Sequence, residues 1–356
     1  MIVFDPHPPF FHVCSVDRAG NQTESKMLVG NQWEKSVELS LERTQPHDGT
    51  AYVLHHGAEL IVRPADRVTE ETISLLRETV PVLPEHNEYT SRFCSYLFHS
   101  HPELPQVLLC DTAFFSRLPA EARTYAVPEE LRNHHVGRYG ASGLIHEWAW
   151  KKLLRHCPSI HTCVSVVLGD HSNIAAIRDG RPIETTAGFT PVEGIPSATS
   201  CGDIDPMIVF ELRAKGLSIQ EINRILSNES GFRGMVQKRC GFLELIRADA
   251  SPEVTNAREV FRYSLLTHIG AMISVLGGAD AVLFETESFA QASTFVGQLS
   301  KQLEFLEPAV SEIPRRKGDF WWFCGANAHT KVLAINFNKW EVLAERARLA
   351  LTEASL

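Results

Sequence analysis

No apolar run in the chain approaches the ~20 residues that a bilayer-crossing helix needs, and the start, MIVFDPHPPFF, has no basic stretch ahead of an apolar one. A membrane span and a secretory leader are therefore not expected, and the cytoplasm is the expected compartment. Clustered positive charge is also scarce: the formal net charge is −9, and the densest basic run is Arg315-Arg316-Lys317. Neutralising a nucleic-acid backbone takes grouped Lys and Arg, so no nucleic-acid partner is expected and that run reads as a solvated loop. The eight cysteines contain no CxxC pair, and the sixteen histidines form no HExxH motif or zinc-like spacing with cysteine. A disulfide scaffold and a structural zinc site drop out, and the free thiols read as core residues. There is no low-complexity tract and no repeat of fixed period.

What is present is a folding chain of 356 residues, 44% hydrophobic, enough for roughly two domains with a core each. Apolar runs at Ile2 to Phe4 and Phe10 to Val16 predict a hairpin around the turn Asp5-Pro6-His7-Pro8-Pro9. AYVLHH (51–56) and QVLLC (106–110) predict strands, and VTEETISLLRETV (68–80) has helical spacing with acids early and an Arg late. A second block starts near residue 136. It has a helix over Gly143 to His156, strands at Ile160 to Leu168 and Asn173 to Arg178, and helices over 218–228 and 256–277. Strands at Ala281 to Phe284 and Lys331 to Asn336 and a last amphipathic helix from Lys339 to Thr352 complete it. Two blocks that each open on a hairpin and then alternate strand and helix predict two α/β lobes.

From residue 81 onward a series of segments resembles the acetate and related carboxylate kinases, in that family's order. LPEHN (83–87) is similar to its Pro-Leu-His-Asn stretch, and CDTAFFSRLP (110–119) to its Phe-Asp-Thr-Ala-Phe-His segment. GRYGASGLIH (137–146) resembles Arg-Tyr-Gly-Phe-His-Gly-x-Ser-His, and TTAGFTPVEG (185–194) and CGDIDP (201–206) follow in place. The resemblance implies an α/β fold of two RNase-H-like (actin/sugar-kinase-like) lobes around a central cleft. The lobes would be 1–135, with the last helix (339–356) packed on it, and 136–338. It also implies Mg2+ and ATP as cofactors if the activity is kept, and otherwise none, together with a homodimer paired through the second lobe.

Such kinases transfer phosphate by holding reactants in line and spreading charge onto cations and amide donors, so each matching position can be checked for that chemistry. The first phosphate-binding turn, Asn-x-Gly-Ser-Ser-Ser-x-Lys in the family, is here rich in proline, which has no N–H, and in phenylalanine. Asp5 in it is a candidate Mg2+ ligand or a plain turn carboxylate. The two substrate-clasping arginines fall at or near Tyr52 and at Ser200, which leaves Arg138 as the candidate cation, or as a salt-bridging structural arginine. The transition-state histidine corresponds to Ser142. The later histidine is kept as His146, a candidate positioning group or a satisfied core residue. Asp111 matches the family's catalytic aspartate.

The second phosphate hairpin, Leu-Gly-Asn-Gly-x-Ser in the family, is Leu168-Gly169-Asp170-His171-Ser172-Asn173, with Gly169 kept and a carboxylate gained. An acid beside polyphosphate repels it unless a metal intervenes. The adenosine loop aligns with Glu285 to Gln291, where both glycines and the family's Glu are gone. In SGFRGMVQKRCG (230–241), Gly231 and Gly234 are kept while Arg and Lys have entered. Glu193, Asp203 and Asp205 are candidates for cofactor or metal binding, Asp203 and Asp205 equally for helix capping. The candidate set is thus Asp111, His146 and Arg138 for catalysis and Asp5, Gly169, Gly231, Asp203 and Asp205 for cofactor binding, with the metal unknown.

The replacements imply a non-catalytic or regulatory member that recognises a small metabolite or a protein partner. One alternative is an ATP-dependent phosphotransferase acting on a small carboxylate. The other is altered chemistry in the same cleft, built on Asp5, Asp170, His171, Glu285 and Glu287.

Overall fold

The computed structural model describes residues 1–7, 10–28, 33–43, 48–132, 134–247, 251–306, 310–325 and 327–353. They form two compact units, one of residues 1–116, 141–145 and 338–356, the other of 117–140 and 146–337.

In the first unit, strands β1 (Ile2–His7), β2 (Phe10–Val16), β3 (Gln22–Leu28), β4 (Thr50–Leu54), β5 (Ala65–Arg67) and β6 (Gln106–Cys110) form one sheet in the order β3-β2-β1-β4-β6-β5. The inner strands β1, β4 and β6 run parallel, while β2, β3 and β5 join antiparallel. Parallel strands covered on both faces read as unbroken apolar runs, and every residue of β4 and β6 is buried. Alternation sorts their side chains. Ile2, Phe4, Tyr52, Leu54 and Leu108 pack with Val37, Phe93 and Leu97 of helices Trp33–Arg43 and Pro84–Ser100. Val3, Ala51, Val53, Val107 and Leu109 pack with Trp340, Leu343 and Ala347 of helix Lys339–Glu353.

The second unit repeats the pattern. Its strands β7 (Thr162–Leu168), β8 (Asn173–Arg178), β9 (Arg181–Thr185), β10 (Ala281–Thr286), β11 (Arg315–Lys317), β12 (Phe320–Trp322) and β13 (Lys331–Asn336) are ordered β11-β12-β13-β10-β7-β8-β9. An antiparallel β7-β8-β9 meander followed by parallel β10 and β13 matches β1-β2-β3 followed by β4 and β6. Helices Pro252–Leu276 and Phe289–Lys301 supply Phe261, Leu265, Ile269, Phe295 and Leu299 to a core with Val164, Val166, Val282, Phe284 and Val332. Helix Ile219–Asn228 begins at a capping box in which the Ser218 hydroxyl accepts from the Glu221 N–H and the Glu221 carboxylate accepts from the Ser218 N–H. Among the described residues no helix is long and apolar enough to cross a membrane.

Two local expectations change. Asp5 lies inside β1, opposite His12, because the strand continues to His7. Pro6 is tolerated there since it lies beyond the last β1–β4 pair, Phe4 with Tyr52, where its missing N–H costs no ladder bond. Of the expected turn, Pro8 and Pro9 are outside the described residues. Arg315-Arg316-Lys317 is the exposed edge strand β11 and not a loop, with Arg316 over Trp321 and Lys317 over Trp322. Charge on an edge strand blocks further strand pairing.

Candidate functional site

In the first unit the chemistry gathers where parallel strands end, the edge at which α/β sheets commonly bind ligands. Asp5 on β1 is fully buried. Its Oδ1 is 2.8 Å from Nε2 of His55, just after β4, and its Oδ2 is ion-paired with Nζ of Lys339, in the first turn of the last helix. Both carboxylate oxygens are thus engaged within the protein.

Asp111, just after β6, accepts hydrogen bonds from the backbone N–H groups of Ser142 at 2.6 Å and Leu144 at 3.3 Å, and so caps the helix Gly143–His156. Burial raises its pKa, partly offset by nearby His55 and by these amides. The close approach needs a glycine: a Cβ on Gly143 would stand 2.2 Å from the Asp111 carbonyl oxygen.

Tyr52 and Ser200, at or near which the resemblance sets the family's arginines, are both buried in their own units. Tyr52 donates to Gln106 at 2.7 Å, and Ser200 donates to the Ser197 hydroxyl at 2.7 Å. In the second unit, Arg138 is half-buried and donates to Glu184 at 2.6 Å and to the carbonyls of Ala122 and Thr185, with Glu193 3.7 Å from its Nε. Tyr125 donates to the same Glu193. Asp203 accepts from the Gly194 N–H at 2.8 Å and pairs with His268 at 3.2 Å. Although burial acts to raise it, the bonds from His268 and Gly194 hold its pKa below the usual carboxylate range. The loops GFTPVEG and CGDIDP are therefore tied together, and Asp205 at their end accepts from the Met207 N–H at 2.9 Å.

The β7–β8 hairpin places Gly169 in a turn closed by the Ser172 hydroxyl. The Asp170 carboxylate accepts from the Phe242 N–H at 2.7 Å, at the start of helix Phe242–Leu245. Gly231 has φ +59, and a Cβ there would lie 2.1 Å from the Ser197 carbonyl oxygen, so the kept glycine holds the turn into helix Gly231–Val236 against the 197–200 loop.

His146 is fully buried in a polar chain that sequence reasoning did not assemble. Its Nδ1 is 2.7 Å from Ser165 Oγ, its Nε2 is 2.6 Å from Asn173 Oδ1, and Ser165 lies 2.6 Å from Oε1 of Glu285 on β10. Burial lowers the His146 pKa to about 4 against the hydrogen bond with Asn173, and burial raises that of Glu285 to about 8 against its bonds from Ser165 and the Val166 backbone. Both groups are neutral near pH 7. The Ser165 hydroxyl donates to Glu285 and lies beside His146 Nδ1, so Glu285, Ser165, His146 and Asn173 form one buried polar chain. An ionised Glu285 would leave its buried Oε2, which has no partner, carrying charge. A carboxylate directly after the apolar run Ala281 to Phe284 of β10 was the signal available in the sequence.

The comparisons agree with this topology. The Acetokinase family profile matches residues 43–342. The chain belongs to the acetokinase family. An acetate kinase of Desulfotalea psychrophila is 34% identical over 290 residues, covering 79% of this chain and 69% of that one. An acetate kinase of Halothermothrix orenii is 29% identical over 315 residues, covering 85% and 78%. In fold, the chain is similar to the crystal structure of an acetate kinase from Porphyromonas gingivalis, with a TM-score of 0.80 at 20% identity over 98% of this chain and 99% of that one. A propionate kinase from Francisella tularensis gives a TM-score of 0.82 at 19% identity over 97% of each chain.

The family's Mg2+ fits poorly with the residues present. Asp5 has both oxygens engaged, Asp170 caps a helix, and among the described residues no group of three or more His, Cys, Asp or Glu side chains is placed to hold a metal ion. Lys339 is the cation that sequence reasoning missed. A lysine in the first turn of a helix opposes the helix dipole, which was the available sign that a carboxylate elsewhere holds it.

Proposed function

We propose that this member of the acetokinase family recognises a ligand without transferring phosphate. The observation that carries the reading is the state of the charges. By the resemblance the family's arginines fall at or near Tyr52 and at Ser200, both buried here, Arg138 is committed to Glu184 and Glu193, and Asp5 is ion-paired with Lys339 and bonded to His55. Guanidinium stabilisation of transferring phosphoryl is worth ~10³ to 10⁵ in rate, so the described residues leave transfer without its main electrostatic support. The second reading, ATP-dependent phosphorylation of a small carboxylate, is favoured by relatives that are themselves named acetate kinases. Thermal stability titrated with Mg-ATP separates them. The expected result is no rise in melting temperature that depends on Mg2+, and a saturable, Mg-dependent rise would favour the kinase.

The partner side of the proposal is a homodimer. Helix Met207–Ala214 buries none of its residues, and Met207 and Phe210 are each 63% exposed. An apolar helix left in water is a common mark of an interface, and the family resemblance points to a second copy of the chain. Sedimentation should show a dimer at micromolar concentration, and Met207→Glu/Phe210→Glu should give a folded monomer. An unchanged sedimentation coefficient in that variant removes this surface from the proposal.

A further inference from the structure

A cavity of about 690 Å³ in the second unit is walled by Asp170, Thr199, Glu229, Gly234, Gln237 and Gly241, together with the side chains of Arg233, Lys238 and Arg239. Helix Gly231–Val236 brings Arg233, and Gln237, at φ 55, turns the chain so that Lys238 and Arg239 return to the same cavity. The wall also has two acids. Asp170 caps helix Phe242–Leu245, and Glu229 is ion-paired with Arg224. Arg233, Lys238 and Arg239 are in no salt bridge among the described residues. The cations are exposed, so they stay charged and solvated until a ligand arrives.

The rest of the lining tells which ligand. It has no aromatic ring, and its apolar members are Ala198 and Cys240, so there is no flat surface on which a nucleobase would stack. The three guanidinium and ammonium groups outnumber the two carboxylates of the wall and fit oxyanions instead. A second cavity of about 240 Å³ shares Lys238, Arg239 and Cys240 and extends the wall to Arg247 and to the acid Glu244.

We propose that this cavity binds a compact polyanion, a small molecule with several phosphate or carboxylate groups, through Arg233, Lys238 and Arg239. The inference deepens the ligand-recognising reading and rests on it for the site's purpose, but not on the loss of phosphoryl transfer.

The test is calorimetric titration of the full chain with inorganic tripolyphosphate, citrate and adenosine, repeated on Arg233→Gln/Lys238→Gln/Arg239→Gln. Because the replaced side chains are exposed, the variant should fold, and its melting temperature checks that. Tripolyphosphate or citrate should bind, more weakly as salt rises, and the tighter of the two assigns phosphate or carboxylate. The triple variant should lose at least about a hundredfold in affinity, each charged hydrogen bond being worth roughly tenfold. Adenosine should not bind. Three results overturn the proposal: neither anion binds, the anion binds the variant as tightly as the parent, or adenosine binds as tightly as the anions. Failure of the transfer-free reading would show instead as product in a turnover assay, so the two failures are distinguishable.

Discussion

Raising the pH from 6.5 to 8 should lower the melting temperature of the protein by several degrees, and Glu285→Gln should remove that loss. The cause is the neutral Glu285 carboxyl, whose pKa the fold raises from 4.5 to about 8. Below pH 4.5 the folded and unfolded states both hold the proton, and the group costs nothing. Between 4.5 and 8 the unfolded chain releases it while the folded one keeps it, so stability falls as pH rises and levels off above 8. Over the whole window the loss is of the order of 4 to 5 kcal/mol, and over the part from 6.5 to 8 about 2 kcal/mol, or ~4 to 8 °C in a unit of this size.

His146 acts in the opposite sense. Burial lowers its pKa from 6.5 to about 4, so the unfolded state alone takes up a proton as pH falls through that range, and stability falls with it. In the parent protein the two effects offset each other between 4.5 and 6.5. In Glu285→Gln the acid-side loss should stand uncovered. Calorimetric melting of parent and variant from pH 4 to 9 checks both limbs, and parallel profiles would remove the neutral-relay account.

Lys339→Met should be the most damaging single change at the edge of the first sheet. Asp5 is fully buried and would lose its ammonium partner while keeping His55. Leaving a buried charge without one partner costs roughly 3 to 5 kcal/mol, with the lower end expected because the Lys339 side chain is 33% exposed. Asp5→Asn combined with Lys339→Met removes the buried charge that has lost its cation and should recover most of that loss. Denaturant unfolding of the two single variants and the double variant measures the coupling. A cost below about 1 kcal/mol for Lys339→Met, with no coupling to Asp5, would make the pair an incidental surface contact.

These two charge systems mark where sequence reading stops. Strands β6, β8 and β13 and the helix Gly143–His156 have the bounds expected from the sequence, because apolar periodicity and the flanking turns act locally. Strand β3, Gln-Thr-Glu-Ser-Lys-Met-Leu, has no apolar alternation and exists because β2 offers it an antiparallel edge. The doubled strand order escaped any search for a period, since a topology can repeat while its residues do not.

At the candidate site, residue types were visible but partners were not. Asp5 and Lys339 are 334 residues apart, and Ser165 and Glu285 are 120 apart. Asp111 looks the same in the sequence with or without its bonds from the amides of Ser142 and Leu144. Asp170 read as a carboxylate repelling phosphate, but its oxygen faces the Phe242 amide, a bond that depends on a helix start 72 residues later.

The central proposal is that this acetokinase-family chain, whose Asp5 is ion-paired with Lys339 and whose Arg138 is paired with Glu184, transfers no phosphate. Trapping acyl phosphate with hydroxylamine after incubation with Mg-ATP and acetate or propionate measures this directly. No product above the enzyme-free blank is expected at any protein concentration. Hydroxamate that grows with time and enzyme, requires Mg2+ and disappears in Asp111→Asn would contradict the account.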